Sequence, residues 1–136
     1  MNLASDTPAR RPAKTVERSA TLDLYLDLLK RSVTNTIFGA EPDASKDDLR
    51  FLQGFTENYI NGPAVSMLPL SRLDSLQANI IDVVEKGVPG DLIEAGAWRG
   101  GTTIFMRGVL KALGDNDRTV WVADSFEGLP EPDQQF

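Results

Sequence analysis

The chain has 136 residues, 41% of them hydrophobic and 25% charged, a balance that suits one soluble domain or part of one. Its 20 acidic residues outnumber its 14 basic ones, and a net charge of −6 repels phosphate backbones and anionic bilayers. Neither nucleic acid nor membrane is therefore an expected partner, while a small or neutral ligand is. Cysteine and histidine are both absent, which removes disulfides, thiolate zinc sites and imidazole bases and leaves only oxygen ligands for any metal.

Residues 1–20 contain Pro8, Arg10, Arg11, Pro12, Lys14 and Arg18 with almost no large apolar side chain, and so are expected to form a disordered tail. This terminus carries no apolar core like that of a signal peptide, and no apolar run in the chain approaches the roughly 20 residues that span a bilayer. The cytoplasm is the expected compartment. From Thr21, Leu22, Tyr25, Leu26, Leu29 and Val33 recur at helical spacing, with Asp23, Asp27 and Lys30 off that stripe, which predicts an amphipathic helix ending between Asn35 and Gly39. Ser45, with Asp48 three residues on, marks the start of a second helix that buries Leu49, Leu52, Phe55 and Tyr59 and stops at Asn61-Gly62-Pro63. A third helix starts near Ser71, buries Leu73, Leu76, Ile80, Val83 and Val84, and is capped by Gly87.

After Gly90 the pattern changes. Asp91 to Ala95 is a short strand, Gly96 to Gly101 a glycine-bearing loop, and Thr102 to Leu113 a helix with Phe105, Met106, Val109, Leu110 and Leu113 inward. Thr119 to Ala123 is a second strand, in which Trp121 is expected to pack in the core. Strand, loop, helix and strand make a βαβ unit, hence a parallel sheet with a right-handed crossover. Two parallel strands on their own would leave edges unpaired and apolar faces uncovered, so such a unit is expected to be marginal in stability.

Ligands of such units sit beyond the carboxyl ends of the strands. Glu94 and Asp124 close the two strands there, flanking the loop Gly96-Ala97-Trp98-Arg99-Gly100-Gly101. A helix N-terminus offers free N–H groups to an anionic end, and a strand-end carboxylate can accept ribose hydroxyls, so the pattern suits a nucleoside. A dinucleotide fingerprint needs glycine where Trp98 stands, to let the backbone approach a pyrophosphate. The indole argues against NAD and leaves room for S-adenosylmethionine, which has no pyrophosphate. By spacing alone, a mere strand-to-helix turn explains the glycines as well as a ligand does. Arg99 reads equally as a carboxylate partner or a solvated loop residue, and Tyr59 reads as packing rather than acceptor contact.

The wording of the segment adds a resemblance. Pro89-Gly90-Asp91-Leu92-Ile93-Glu94-Ala95-Gly96-Ala97-Trp98-Arg99-Gly100-Gly101, with Asp117-Arg118-Thr119-Val120-Trp121-Val122-Ala123-Asp124-Ser125-Phe126-Glu127-Gly128-Leu129-Pro130, closely resembles the macrocin and mycinamicin O-methyltransferase family (TylF/MycF type). The likeness extends more loosely to Leu24-Tyr25-Leu26-Asp27-Leu28-Leu29-Lys30. It implies an α/β, Rossmann-like class I methyltransferase fold, truncated after the second strand and preceded by N-terminal helices. The tail would cover residues 1–20, a helical cap region 21–88 and the start of the cofactor domain 89–136.

The resemblance also implies S-adenosyl-L-methionine and Mg2+ as cofactors and a hydroxyl of a sugar or macrolide-type natural product as methyl acceptor. It places the cofactor against Glu94, Ala95, Gly96, Ala97 and Trp98 and against Asp124, Ser125, Phe126, Glu127 and Gly128. Asp124 would hold the ribose hydroxyls and Ser125-Phe126 would border the adenine. Ser66-Met67, where relatives carry Thr-Met, would lie at the methionine end. Catalytic residues and metal ligands are expected past residue 136, so activity of this chain alone is doubtful. The alternative is an adenosyl-ligand-binding or subunit-association module without activity, and assembly into a homo-oligomer stays open.

Overall fold

The computed structural model describes residues 9–38, 54 and 56–128. Helix α1 spans Ala20–Thr34. Its start is fixed by Ser19, whose hydroxyl accepts the Leu22 N–H at 3.1 Å, and its end by Asn35 in the left-handed region at φ 56°. Leu26, Val33 and Thr34 are buried as the spacing requires, but so is Lys30. Rather than standing off the apolar stripe, Lys30 lays its aliphatic stem in the seam between helices and delivers its ammonium to Asp74.

Most of the expected second helix lies outside the described residues. Its C-terminal part, Thr56–Ile60, is a π-helical turn with Tyr59 buried, in keeping with the packing role expected of that ring. Asn58 ties the turn to the end of α1, its amide nitrogen donating to the Thr34 carbonyl at 3.1 Å and its amide oxygen accepting from Asn35 at 2.8 Å. Helix α2 spans Leu70–Glu85 and buries Leu73, Ile80, Ile81 and Val84. Gly87 follows at φ 59°, where a Cβ would stand 2.2 Å from the Arg11 carbonyl oxygen, so glycine is needed there for both conformation and space.

Strands β1, Leu92–Ala95, and β2, Val120–Ala123, pair in parallel with Leu92 opposite Val120 and Ala95 opposite Ala123. Helix α3, Gly101–Ala112, makes the crossover between them. It packs on the sheet with one side and on α1 and α2 with the other. Phe105, Met106, Val109 and Leu110 form the centre of the core, joined by Leu26 and Val33 from α1 and by Leu73, Ile80 and Val84 from α2. The α/β reading and the parallel crossover therefore stand.

Two expectations change. Trp121 is 56% exposed rather than core, because it lies beside Ile93 on a sheet face that no described element covers; its indole N–H donates to Asp91 at 3.0 Å. Residues 9–19, expected to be part of a loose tail, carry no helix or strand but reach the base of the sheet through polar contacts. Arg10 donates to the Lys86 carbonyl at 3.0 Å, Lys14 to the Gly114 carbonyl at 2.6 Å, and Arg11 pairs with Asp91 at 3.5 Å. Composition hides this, because cations meeting carbonyls and carboxylates hold the segment where apolar burial does not. The same base is locked by buried Arg118, which bonds Asp115 at 2.9 Å and the carbonyls of Gly90 and Val88 at 2.6 and 2.5 Å. Burial works to raise the Asp115 pKa, but hydrogen bonds and charge from Arg118 outweigh it and hold the group below its ordinary value. Among the described residues no helix is long and apolar enough to cross a membrane.

Candidate functional site

The parallel pair ends at Ala95 and Ala123, and the chain leaves both strands at the same edge. Gly96 still donates to the Ala123 carbonyl at 2.8 Å, then turns away at φ 78°. Gly100 repeats the left-handed conformation at φ 77° and opens α3. A Cβ on either glycine would meet nothing within 4 Å, so their use here is conformational freedom in a loop whose outer side is open. Trp98, between them, is also left-handed at φ 51°, a costly conformation for a bulky residue that surrounding bonds must hold.

Asp124 supplies that hold. Its Oδ2 accepts the N–H groups of Ala97 at 2.6 Å and Trp98 at 3.0 Å, and its Oδ1 accepts the N–H of Phe126 at 2.9 Å. The strand-end carboxylate thus binds the loops after both strands to one another. These bonds, with that from Phe126 first and those from Trp98 and Ala97 after it, hold the Asp124 carboxyl below its ordinary pKa. The Ser125 N–H also contributes to this lowering, so the carboxylate is engaged by backbone amides from the turns after both strands.

Glu94, on the neighbouring strand, accepts the hydroxyl of Thr103 in the first turn of α3. Ser125 receives the Glu127 N–H at 3.3 Å, and Phe126 stands 71% exposed at φ 57° beside Gly128 at φ 78°. Ser66 is buried, shares a hydrogen bond of 3.1 Å with Thr102 and accepts the Leu68 N–H at 3.2 Å, while Met67 is exposed. Gly101 brings this segment in: its N–H donates to the Val65 carbonyl at 2.8 Å, and a Cβ there would lie 2.4 Å from that carbonyl. Residues 66–67, 94–98 and 124–128 thus converge on the start of α3 and the carboxyl edge of the sheet.

Sequence reasoning missed several members of this arrangement. Thr102 and Thr103 read only as the start of a helix, although hydroxyls in a first helical turn are a signal that nearby polar groups will use them. Arg99 is exposed, as a loop arginine is expected to be, but it bonds backbone carbonyls rather than a carboxylate. Its Nη1 donates to the Gly62 and Ala64 carbonyls at 2.8 and 3.0 Å, its Nη2 to the Ile60 carbonyl at 3.0 Å, and its guanidinium lies 4.4 Å from the centroid of the Trp98 ring. One face of the half-buried indole is therefore covered by a cation.

The family model for macrocin-O-methyltransferase (TylF) matches residues 60–136. The 8-demethyl-8-(2,3-dimethoxy-alpha-L-rhamnosyl)-tetracenomycin-C 4'-O-methyltransferase of Streptomyces olivaceus is 50% identical over 121 residues, covering 80% of this chain and 43% of that protein. Mycinamicin III 3''-O-methyltransferase of Micromonospora griseorubida is 44% identical over 117 residues, covering 83% of this chain and 46% of that protein. The solved structure of the O-methyltransferase NovP superposes with a TM-score of 0.63 at 36% identity, covering 85% of this chain and 47% of that one. The chain spans less than half the length of each of these relatives. With the family match covering more than half of its residues and the fold shared with NovP, the chain belongs to the macrocin-O-methyltransferase (TylF) family.

Proposed function

We propose that this chain binds S-adenosyl-L-methionine at the carboxyl edge of β1 and β2 and serves an O-methyltransferase acting on a hydroxyl of a sugar or macrolide-type natural product. The observation that carries the reading is the Asp124 carboxylate, held at the mouth of the loop, at the carboxyl edge of the sheet, by backbone amides from the turns after both strands. That position suits a ribose hydroxyl. The exposed ring of Phe126, next to Ser125, suits an adenine face, and Met67 with buried Ser66 suits the methionine end near the first turn of α3. Glu94 through Trp98 would line the cofactor, and Glu127 and Gly128 would close the loop after β2. The left-handed indole at position 98 leaves no glycine cradle for a pyrophosphate, which weighs against a dinucleotide.

In this reading residues 21–88 are the cap region, whose described part reaches the cofactor through residues 60–67, and 89–136 begin the cofactor domain. When bound, S-adenosylmethionine would supply a sulfonium-activated methyl group for transfer to an acceptor hydroxyl, with S-adenosylhomocysteine and the hydroxyl proton as the other products. This chain's residues bind and orient the donor. Family resemblance also implies magnesium, but among the described residues no three Asp, Glu, His or Cys side chains group to hold an ion, so no step is assigned to a metal here. By their names, two of the relatives O-methylate a rhamnosyl-tetracenomycin and mycinamicin III, which supports a small hydroxylated acceptor.

Titration calorimetry of the full chain with S-adenosylmethionine tests the reading, followed by an assay for S-adenosylhomocysteine release with a hydroxylated macrolide glycoside. Saturable binding is expected. Binding without turnover would reduce the role to a cofactor-binding module, and binding of NAD in place of the adenosyl ligand would overturn it.

A further inference from the structure

Residues 60–67 form a strap between the π-helical turn and α2, and regular hydrogen-bond ladders do not satisfy its carbonyls. Pro63 has no N–H to offer, and the carbonyls that follow a helical turn lack intrahelical partners. Three of them, from Ile60, Gly62 and Ala64, are taken by the single guanidinium of Arg99. A planar fork with five donors can serve several acceptors at once, whereas an ammonium is a compact point charge. Behind the fork lies the Trp98 ring, so the same cation also braces a residue whose backbone is in the left-handed region.

The far end of the strap is fixed differently. Val33 accepts the N–H groups of Val65 and Ser66 at 2.9 Å each, and Gly101 and Thr102 bond Val65 and Ser66 from the first turn of α3. Those ties run to helices. Arg99 belongs to the glycine loop itself, and Asp124 holds the amide of the adjacent Trp98. Beside the backbone tie of Gly101 to Val65 at the start of α3, the Arg99 side chain therefore joins the first half of the strap, residues 60–64, to the loop around Trp98.

We infer that Arg99 is a positioning residue that couples the strap to the loop, so that a ligand seated in the loop also orders residues 60–67, including Ser66 and Met67. The identity of that ligand rests on the adenosyl reading above, while the coupling rests on the hydrogen bonds. It follows that loss of the guanidinium separates the two segments: the loop still meets its ligand, but the strap no longer follows, and affinity falls by about tenfold.

Amide hydrogen exchange on the full chain, with and without S-adenosylhomocysteine, tests this in the wild type, Arg99→Ala and Arg99→Lys. In the wild type the ligand is expected to slow exchange over both 60–68 and 95–101. In both variants, at saturating ligand, protection is expected over 95–101 but not over 60–68; lysine does not rescue, because one ammonium cannot span three carbonyls. A generally loosened fold would move both segments together, so the split is the diagnostic. Should Arg99→Ala fail to fold, Arg99→Lys carries the comparison. Wild-type affinity with ligand-linked protection intact over 60–68 in the variants would overturn the coupling. If the wild type binds no adenosyl ligand, the functional reading falls and the coupling is judged without ligand, by exchange over 60–68 that is faster in both variants; equal rates would overturn it.

Discussion

At the level of single residues, Asp124 organises the loops that follow both strands. A carboxylate that accepts three backbone N–H groups is favoured in its charged form, and its pKa is lowered from the ordinary 3.8. The contribution of a depressed acid is fully present above its unfolded value and is lost as pH falls through the folded one. A ligand hydroxyl that bonds this carboxylate requires its charged form, so affinity for S-adenosylhomocysteine is expected to stay flat from neutral pH to about 4 and to fall only as pH drops through the lowered pKa of Asp124, as calorimetry across that range would record. Asp124→Asn removes one acceptor oxygen and turns an NH2 group toward N–H groups, donor against donor. Hydrogen bonds to charged groups are stronger than those between neutral ones, so the variant is expected to bind more weakly at pH 7, by about tenfold, and to lose the acid-side decline. A decline below pH 4 that persists in Asp124→Asn would assign it to another group. The sequence placed Asp124 at the strand end from spacing alone; it did not reveal that loop amides would occupy most of the carboxylate, because that depends on how far the loop folds back.

The elements meet at a few points of close backbone approach, and Gly101 is the one on which the site depends. Its hydrogen atom faces the Val65 carbonyl, and a Cβ would sit 2.4 Å from both the carbon and the oxygen of that group. These are backbone atoms that cannot rotate aside. Gly101→Ala is therefore expected to push the strap off the start of α3 and to cost about 1–3 kcal/mol in urea denaturation, even though alanine is the better helix former. A neutral or stabilising Gly101→Ala would show that the approach is slack. Helices α1, α2 and α3 were legible because their apolar spacing runs through 12 to 16 residues, with Gly87 marking the end of α2. The two strands were legible from their β-branched residues and the glycines after them. The strap was not, since nothing periodic marks residues 60–67, and the role of Arg99 follows from carbonyls contributed by a segment about forty places earlier in the chain. Lys30 escaped for a related reason: a charged residue is counted as outward until a partner such as Asp74 appears across a helix seam.

For the molecule as a whole, the packing is one-sided. Helix α3 separates a well-filled interior, where Phe105, Val109 and Leu110 are fully buried against α1 and α2, from a sheet whose other face shows Ile93 and Trp121 more than half exposed. Hydrophobic stabilisation follows area removed from water, so apolar residues of similar character on the two sides contribute very differently. Trp121 misled the sequence reading for this reason: a β-branched, aromatic strand of a parallel sheet reads as buried on both faces, and only one face is covered here. Phe105→Ala deletes a ring from the interior and is expected to cost about 3–5 kcal/mol, a large part of what a domain of this size has. Ile93→Thr keeps the β-branch, removes apolar surface already in water, and is expected to stay within about 0.5 kcal/mol. Chemical denaturation of the full chain, monitored by circular dichroism, compares the two directly. If Ile93→Thr proved as damaging as Phe105→Ala, the outer face of the sheet would be covered in solution, and the stability of the fold would depend on contacts made there rather than on the three-helix interior.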